Sequence, residues 1–412
     1  MTNFDVIEAY IEDFTKWAYR NSRGTAKITN NTIVITNVVE TNNIVEDDNE
    51  PYSDLTIRVT GVTENRYLIV RQGRGKPETH IKKDGVYTFK DNNLYFGFGV
   101  SVIGECNITI TQLPTSILKD LSGNGNHAYL YGGKGKLNSG MGVYQQDFSK
   151  LIISRVDKKQ DPFSFTVSGS GGSYLAYTQL GNWNNKAFKI LANINAKSDY
   201  LYLRFRNSTD AVITSVMLKN GENIIPAQNI EGATKAVFEY SLKEGETITI
   251  TQIPDYPDQL CYDGKMYAIA YGMPILTDYT IITDRTWFKD KINSWSYFVD
   301  KKKAFTFERT GNGKSFNAMS FAAETVIELQ KDGVSYQTKA SYNGNAINYH
   351  SDQADNDDRL VIGSTKDSLG NQCFIGCHSD ILIFNRTLTE YEISWVKNNM
   401  MCSKQQEHDI DL

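Results

Sequence analysis

Cysteine is scarce. The chain of 412 residues has five, Cys106, Cys261, Cys373, Cys377 and Cys402, odd in number and scattered, which argues against a disulfide framework and for a reducing compartment. No apolar run approaches membrane-spanning length, and the opening MTNFDVIEAYIEDFTKW has acids where a secretion signal needs basic residues before a continuous apolar stretch. The sequence therefore predicts no membrane insertion and no signal-led export. Charge of one sign is lacking as well: 43 Lys and Arg against 48 Asp and Glu give a net of -5, with no long block of either sign. That removes the electrostatic reason to expect nucleic acid or an anionic membrane as partner.

What is present is the material of strands and turns. Tyr 24 and Phe 19, with Gly 31 and many Asn and Thr, predict an all-β protein, since aromatic and β-branched residues suit pleated surfaces and Gly and Asn suit tight turns. At this length about two to four domains are expected.

A phrase occurs twice: Ile108 to Pro114 reads ITITQLP and Ile248 to Pro254 reads ITITQIP, each an alternating strand closed by a proline that cannot continue a ladder. The likeness extends upstream, where Tyr52 to Val70 can be laid over Asn185 to Leu203, and Asp84-Gly85 over Asn220-Gly221. A repeat of roughly ninety to one hundred residues is too long for a solenoid unit and suits a small β-sandwich. Two homologous modules are therefore expected, over 24–113 and 151–256. Before the first, Asn3 to Arg20 is expected to form a helix: Phe4, Ile7, Ile11, Phe14 and Ala18 recur at helical steps, and Thr2 with Asp5 makes a capping box. That helix (1–23) either packs on its own sandwich or serves in docking or oligomerisation.

Between and after the modules lie DLSGNGN (Asp120 to Asn126), Ile362-Gly363 and ILIFNRTLTEYEI (Ile381 to Ile393). These phrases, in this order, resemble the laminin-G-like, concanavalin-A-like jelly roll of proteins encoded by phages and prophages of gut bacteria. The resemblance implies a jelly roll split into 114–150 and 257–401, with the second module inserted in one of its loops, and a polar tail over 402–412.

Chemistry is thinly signposted. A retaining glycosidase needs two carboxylates about 5 Å apart, and no E-x-D-x-x-E phrase presents them; Glu324/Glu328 and Glu390/Glu392 are separate acids. Ser122 lacks a nucleophile-elbow context, and His80, His127, His350, His378 and His408 adjoin no nucleophile signature. No enzyme is expected. Cys373, Cys377 and His378 have no second ligand pair to complete a zinc site. No cofactor is expected, with calcium left open at Asp352, Asp355 and Asp357, or at Asp120 with Asn124 and Asn126, against the simpler reading of solvated turns. For sugar stacking, Trp183 in the loop GNWNNK is the candidate, flanked by Asn182 and Asn184, with a structural role for the ring as the equal alternative. Trp287, Trp295 and Trp395 sit in strand or helix patterns and are expected in cores, and Tyr129 and Tyr131 are expected on one side of a sheet and buried there.

The resemblance implies a structural, adhesive virion component: a tail-fibre, tail-associated or head-fibre protein contacting other virion proteins and host surface glycan. It implies assembly in the host bacterial cytoplasm and a homo-oligomer, with a trimer as one option. A bacterial surface or secreted carbohydrate-binding protein is the alternative, and a polysaccharide-cleaving enzyme a third.

Overall fold

The computed structural model describes residues 14–47, 55–73, 77–90, 96–132, 140–153, 157–169, 172–198, 200–228, 230–288, 297–301, 305–310, 313–321, 329–331, 334–336, 341–343, 346–350, 357–365, 369–370 and 373–400. Among them the chain forms antiparallel sheets almost throughout, with one parallel pair and one α-helix, Glu390–Asn399. The protein is an all-β sandwich protein. Its chain divides into two compact units, Lys136–Cys261 and a discontinuous one made of Met1–Gly135 with Tyr262–Leu412.

Within Lys136–Cys261 lies a sandwich of two five-stranded sheets. One runs, edge to edge, Ile152–Ile153, Gly172–Gln179, Lys235–Leu242, Leu201–Arg206, Val212–Met217; the other runs Asp157–Gln160, Ser164–Ser168, Thr247–Ile253, Phe188–Asn195, Gly221–Ile225. Alternation explains the core. Ile248 and Ile250 are buried against Phe165, Phe238 and Leu203, while Thr247, Thr249 and Thr251 face outward, and each fully buried side chain of that size contributes about 1.5–3 kcal/mol. The glutamine that ends the phrase has its own task. Gln252 is 3 % exposed, yet its carboxamide accepts the Gln146 N–H at 3.0 Å and donates to the Gln146 carbonyl at 2.7 Å. Module entry and exit are thereby tied together.

The other unit contains a second sandwich with the same strand order. Its sheets run Ala18–Tyr19, Asn42–Asp47, Phe96–Val100, Leu68–Gln72, Glu78–Ile81 and Gly24–Ile28, Thr32–Val38, Gly104–Gln112, Leu55–Thr60, Gly85–Phe89. Details recur: the Asp84 carboxylate accepts the Val62 N–H at 3.0 Å, and the Asn220 amide oxygen accepts the Ile194 N–H at 2.8 Å.

The expected helix over 3–20 needs correction in its described part, while Asn3 to Asp13, including Asp5, lies outside the described residues. Phe14–Lys16 is a single 3-10 turn and Ala18–Tyr19 is an edge strand pairing with Val45 and Glu46. The cause is burial. Phe14 and Trp17 are 0 % and 4 % exposed, with the Phe14 ring edge-on to Trp17 and Phe98 and the Trp17 ring stacked on Phe98, so Phe14, a member of the expected helix face, plugs the sandwich together with Trp17 instead, while Ala18 of that face is exposed. The second copy begins the same way: Phe148–Lys150 is a 3-10 turn, Phe148 is 1 % exposed, and Ile152–Ile153 forms the edge strand. Asp13-Phe14-Thr15-Lys16 and Asp147-Phe148-Ser149-Lys150 are the shared signature.

The remainder of the larger unit is built around Tyr279–Trp287, buried along its whole length. Ile375–Phe384 and Gly313–Phe321 flank it. On one side Trp287 meets Phe374 and Arg285 meets Phe298, with Tyr262 packed on Phe374; the other is covered by Leu388, Ile393 and Val396, where Ile282 packs against the helix. Thr389 and Glu392 form the helix's capping box. A second sheet includes Ala128–Tyr131 beside Tyr267–Tyr271, with Ala128 opposite Ala270 and Tyr131 opposite Tyr267. The strand after the Asp120 turn is thus hydrogen-bonded to chain far downstream. Gly363 has φ +81, and a Cβ there would lie 2.5 Å from the Tyr262 ring, so the Ile362-Gly363 step requires glycine.

Candidate functional site

The sequence candidates are distributed as follows. Trp183 is half-buried, its ring edge-on to Phe188 and Phe205 at centroid distances of 5.6 and 5.8 Å, so it serves as a wedge at the rim of the core. Asn182 is exposed at the end of the Leu180–Asn182 turn. Asn184 is tied to the module entry: its N–H donates to Gln146 Oε1 at 3.1 Å and its Nδ2 to Gln145 Oε1 at 3.0 Å. Asp352 and Asp355 lie outside the described residues, as does Trp295. Asp357 is 6 % exposed, and its Oδ1 accepts from the Arg359 backbone N–H at 3.1 Å and from Nε at 3.2 Å, leaving it bound within the protein.

Asp120 organises its own turn. Its two oxygens accept the Ser122 and Asn126 N–H groups at 2.8 and 2.9 Å; burial pushes its pKa up, but these bonds outweigh it and hold the carboxyl below its ordinary value. Among the described residues no group of three or more His, Cys, Asp or Glu side chains is placed to hold a metal ion. Also among them, no helix is long and apolar enough to cross a membrane.

Trp287, at 1 % exposed, is core, whereas Trp395 is 50 % exposed and corrects the expectation that it is buried. The helix turns Ile393 and Val396 inward, and Trp395 falls on the opposite face with Tyr391. Tyr129 and Tyr131 are half-buried; Tyr131 stacks on Tyr267 at 5.2 Å, and the Arg58 guanidinium lies 4.6 Å from the centroid of Tyr271. The interior of this unit also holds Arg285 and His378, paired across strands. Burial lowers the His378 pKa to about 3, and its Nε2 bonds the Tyr262 hydroxyl at 3.1 Å. Burial likewise lowers Arg285 to about 9, against the opposing pull of Asp284. Both are closed to solutes by their depth.

The arrangement best suited to meet a ligand was not singled out by its sequence. On the Leu201–Arg206 strand the inward residues Leu201, Leu203 and Phe205 are buried, which leaves Tyr202, Arg204 and Arg206 on the outer face. Register places Glu239 beside Tyr202 on one flank and Ser215 beside Arg204 on the other. The Glu239 carboxylate accepts from the Tyr200 hydroxyl at 2.6 Å, Arg204 Nη1 at 2.8 Å and Arg206 Nη2 at 2.5 Å. Burial raises its pKa, but the Tyr200 and Arg206 hydrogen bonds and both guanidinium charges outweigh that and hold it below its ordinary value. The same partnership raises the Tyr200 pKa, because the hydroxyl proton is held by Glu239. Arg204 lies 4.8 Å from the Tyr202 centroid and 5.5 Å from that of Tyr200, a cation–π pairing that fixes both rings. Lys235, hydrogen-bonded to Asp210 at 2.8 Å, extends the face to Tyr177. Rings held by guanidinium groups on a rigid sheet offer stacking area beside N–H donors, the equipment of polar-ligand recognition.

No protein-family model matches the chain, and no curated protein matches it.

Proposed function

We propose that the protein is a non-enzymatic structural and adhesive component of a bacteriophage virion, a tail-fibre, tail-associated or head-fibre protein whose sandwiches contact host surface glycans. In this reading the residues around Tyr279–Trp287 form a laminin-G-like jelly roll, and the molecule works as a homo-oligomer so that weak single-site sugar contacts add up. The observation that carries the reading is the outer sheet face of the second module, where Tyr200, Tyr202, Arg204 and Arg206 are held in place around Glu239. Support also comes from the SGNGN turn, whose strand pairs with Tyr267–Tyr271, and from the capped helix after the last long strand.

The test has two arms. Mass spectrometry of purified particles from the phage or prophage that encodes the chain should find it in fixed proportion to the major structural proteins; its absence from particles overturns the virion assignment. A glycan array probed with the full chain should give binders that a Tyr202→Ala variant loses, and retention of every binder removes this face from the reading.

A further inference from the structure

The Tyr202 face has a hydrogen-bonding imbalance. A guanidinium group carries five N–H donors. Arg204 uses one on Glu239; Arg206 uses one on Glu239 and one on the Asp210 carbonyl at 3.0 Å. The Nε of each is buried and has no partner, so the donors that can meet a ligand are the remaining Nη hydrogens. The carboxylates are already engaged: Glu239 receives three hydrogen bonds and Asp210 Oδ1 receives Lys235. Charge points the same way: Arg204, Arg206 and Lys235 stand against Glu239 and Asp210, three cations less two anions.

Neutral sugar hydroxyls both donate and accept, so a neutral glycan needs free acceptors as much as free donors. Among the charged groups of this face, cationic donors outnumber anionic acceptors. A carboxylate only accepts, and it matches guanidinium geometry.

The first module shows what a satisfied version looks like. The repeat alignment places Arg71 where the second copy has Arg204, and the residue opposite Arg71 is Glu78 where the second copy has Ser215. Arg71 Nε donates to Glu78 at 2.6 Å, Nη1 donates to Asn42 at 2.6 Å and Asn43 at 2.9 Å, and Nη2 meets Glu78 as well. Where the second module has serine, the first has an internal anion.

From this we infer that the Tyr202–Arg204–Arg206 face binds acidic glycans, sugars bearing a carboxylate such as uronic or sialic acids, with the pyranose against Tyr202 and the acid group on the arginines in the place that Glu78 fills beside Arg71. The inference rests on the glycan-binding reading above and narrows it to a ligand class.

The full chain is measured by calorimetry against oligogalacturonate and its fully methyl-esterified counterpart, and against sialyllactose and lactose, alongside the array of neutral and acidic glycans. At least one acidic member binds at least tenfold more tightly than its neutral counterpart. Ser215→Glu, which supplies the first module's anion, abolishes that preference, whereas Ser215→Thr keeps it. Arg204→Gln serves as the second variant and loses at least tenfold, with circular dichroism and melting checked for each. Equal binding of acid and ester, or binding of neutral glycans alone that Ser215→Glu leaves unchanged, overturns the acidic class and spares the glycan reading. No binding to any glycan on the array overturns both.

Discussion

Arg71 and Arg204 occupy the same place in the same fold, one in each module, and differ in everything around them. Arg71 is bonded to Glu78, Asn42 and Asn43, and the strand beside it, Phe96–Val100, is buried at every position, with Gly97 and Gly99 on its outer side. Arg204 has aromatic rings beside it, serine opposite, and Glu239 where the first copy has Gly99. Two copies of one scaffold have thus been finished differently. The inward residues obey one packing rule in both, while the outward residues of one sheet close upon themselves in the first and leave donors available in the second.

The comparison can be broken at its foundations first. If Phe14 and Phe148 are the same plug, Phe14→Ala and Phe148→Ala should each cost about 3–5 kcal/mol in the module that contains them, as large-to-small changes in full cores do. Hydrogen exchange resolved by module reads this out, and a silent Phe14→Ala would separate the start of the first copy from that of the second. Next in size is the clasp. Gln252→Ala leaves the Gln146 N–H and C=O without their partner, at a cost of about 3 kcal/mol; unchanged chemical denaturation would show the clasp to be idle.

Gly99→Ala tests the closed face. A Cβ there would sit 2.5 Å from the Asn42 carbonyl, so overpacking should cost about 2 kcal/mol, whereas Glu239 at the matching place in the second copy carries a full side chain. The smallest effect is electrostatic. Because the Glu239 pKa is lowered in the folded protein, its contribution is complete above the ordinary value of 4.5 and is lost as pH falls through the lowered one. Glu239→Gln should therefore melt earlier near neutrality, by about 1 kcal/mol for two partly exposed ion pairs, and the gap to the parent should close in acid. A constant gap across pH would assign the loss to packing.

How far the sequence could be read follows from these residues. The all-β class was legible because Ile108, Ile110, Ile248 and Ile250 alternate with threonine and all four isoleucines are buried. Turn chemistry was legible too, in Asp84-Gly85 and Asn220-Gly221. The start of the first module was not, because Phe14 ends a run of apolar residues at helical steps while it is buried from a 3-10 turn; the recurrence of Asp-Phe-Thr/Ser-Lys was the available signal. The packing of Trp183 and the exposure of Trp395 were hard to read for a related reason. A polar loop can tuck one ring into a core, and a helix bound along Ile393 and Val396 leaves its far face in solvent. The Tyr202 face was half legible: Tyr-Leu-Tyr-Leu-Arg-Phe-Arg alternates plainly, but Glu239 joins it only through cross-strand register, which no local pattern encodes.

The clasp between Gln146 and Gln252 bears on how such a protein changes over time. A fold whose chain comes in and goes out through one doorway can be traded whole for another with the same doorway, without re-registering any strand outside it. One outer sheet face could then be replaced by another in a single recombination event while the strands outside the clasp stay as they were.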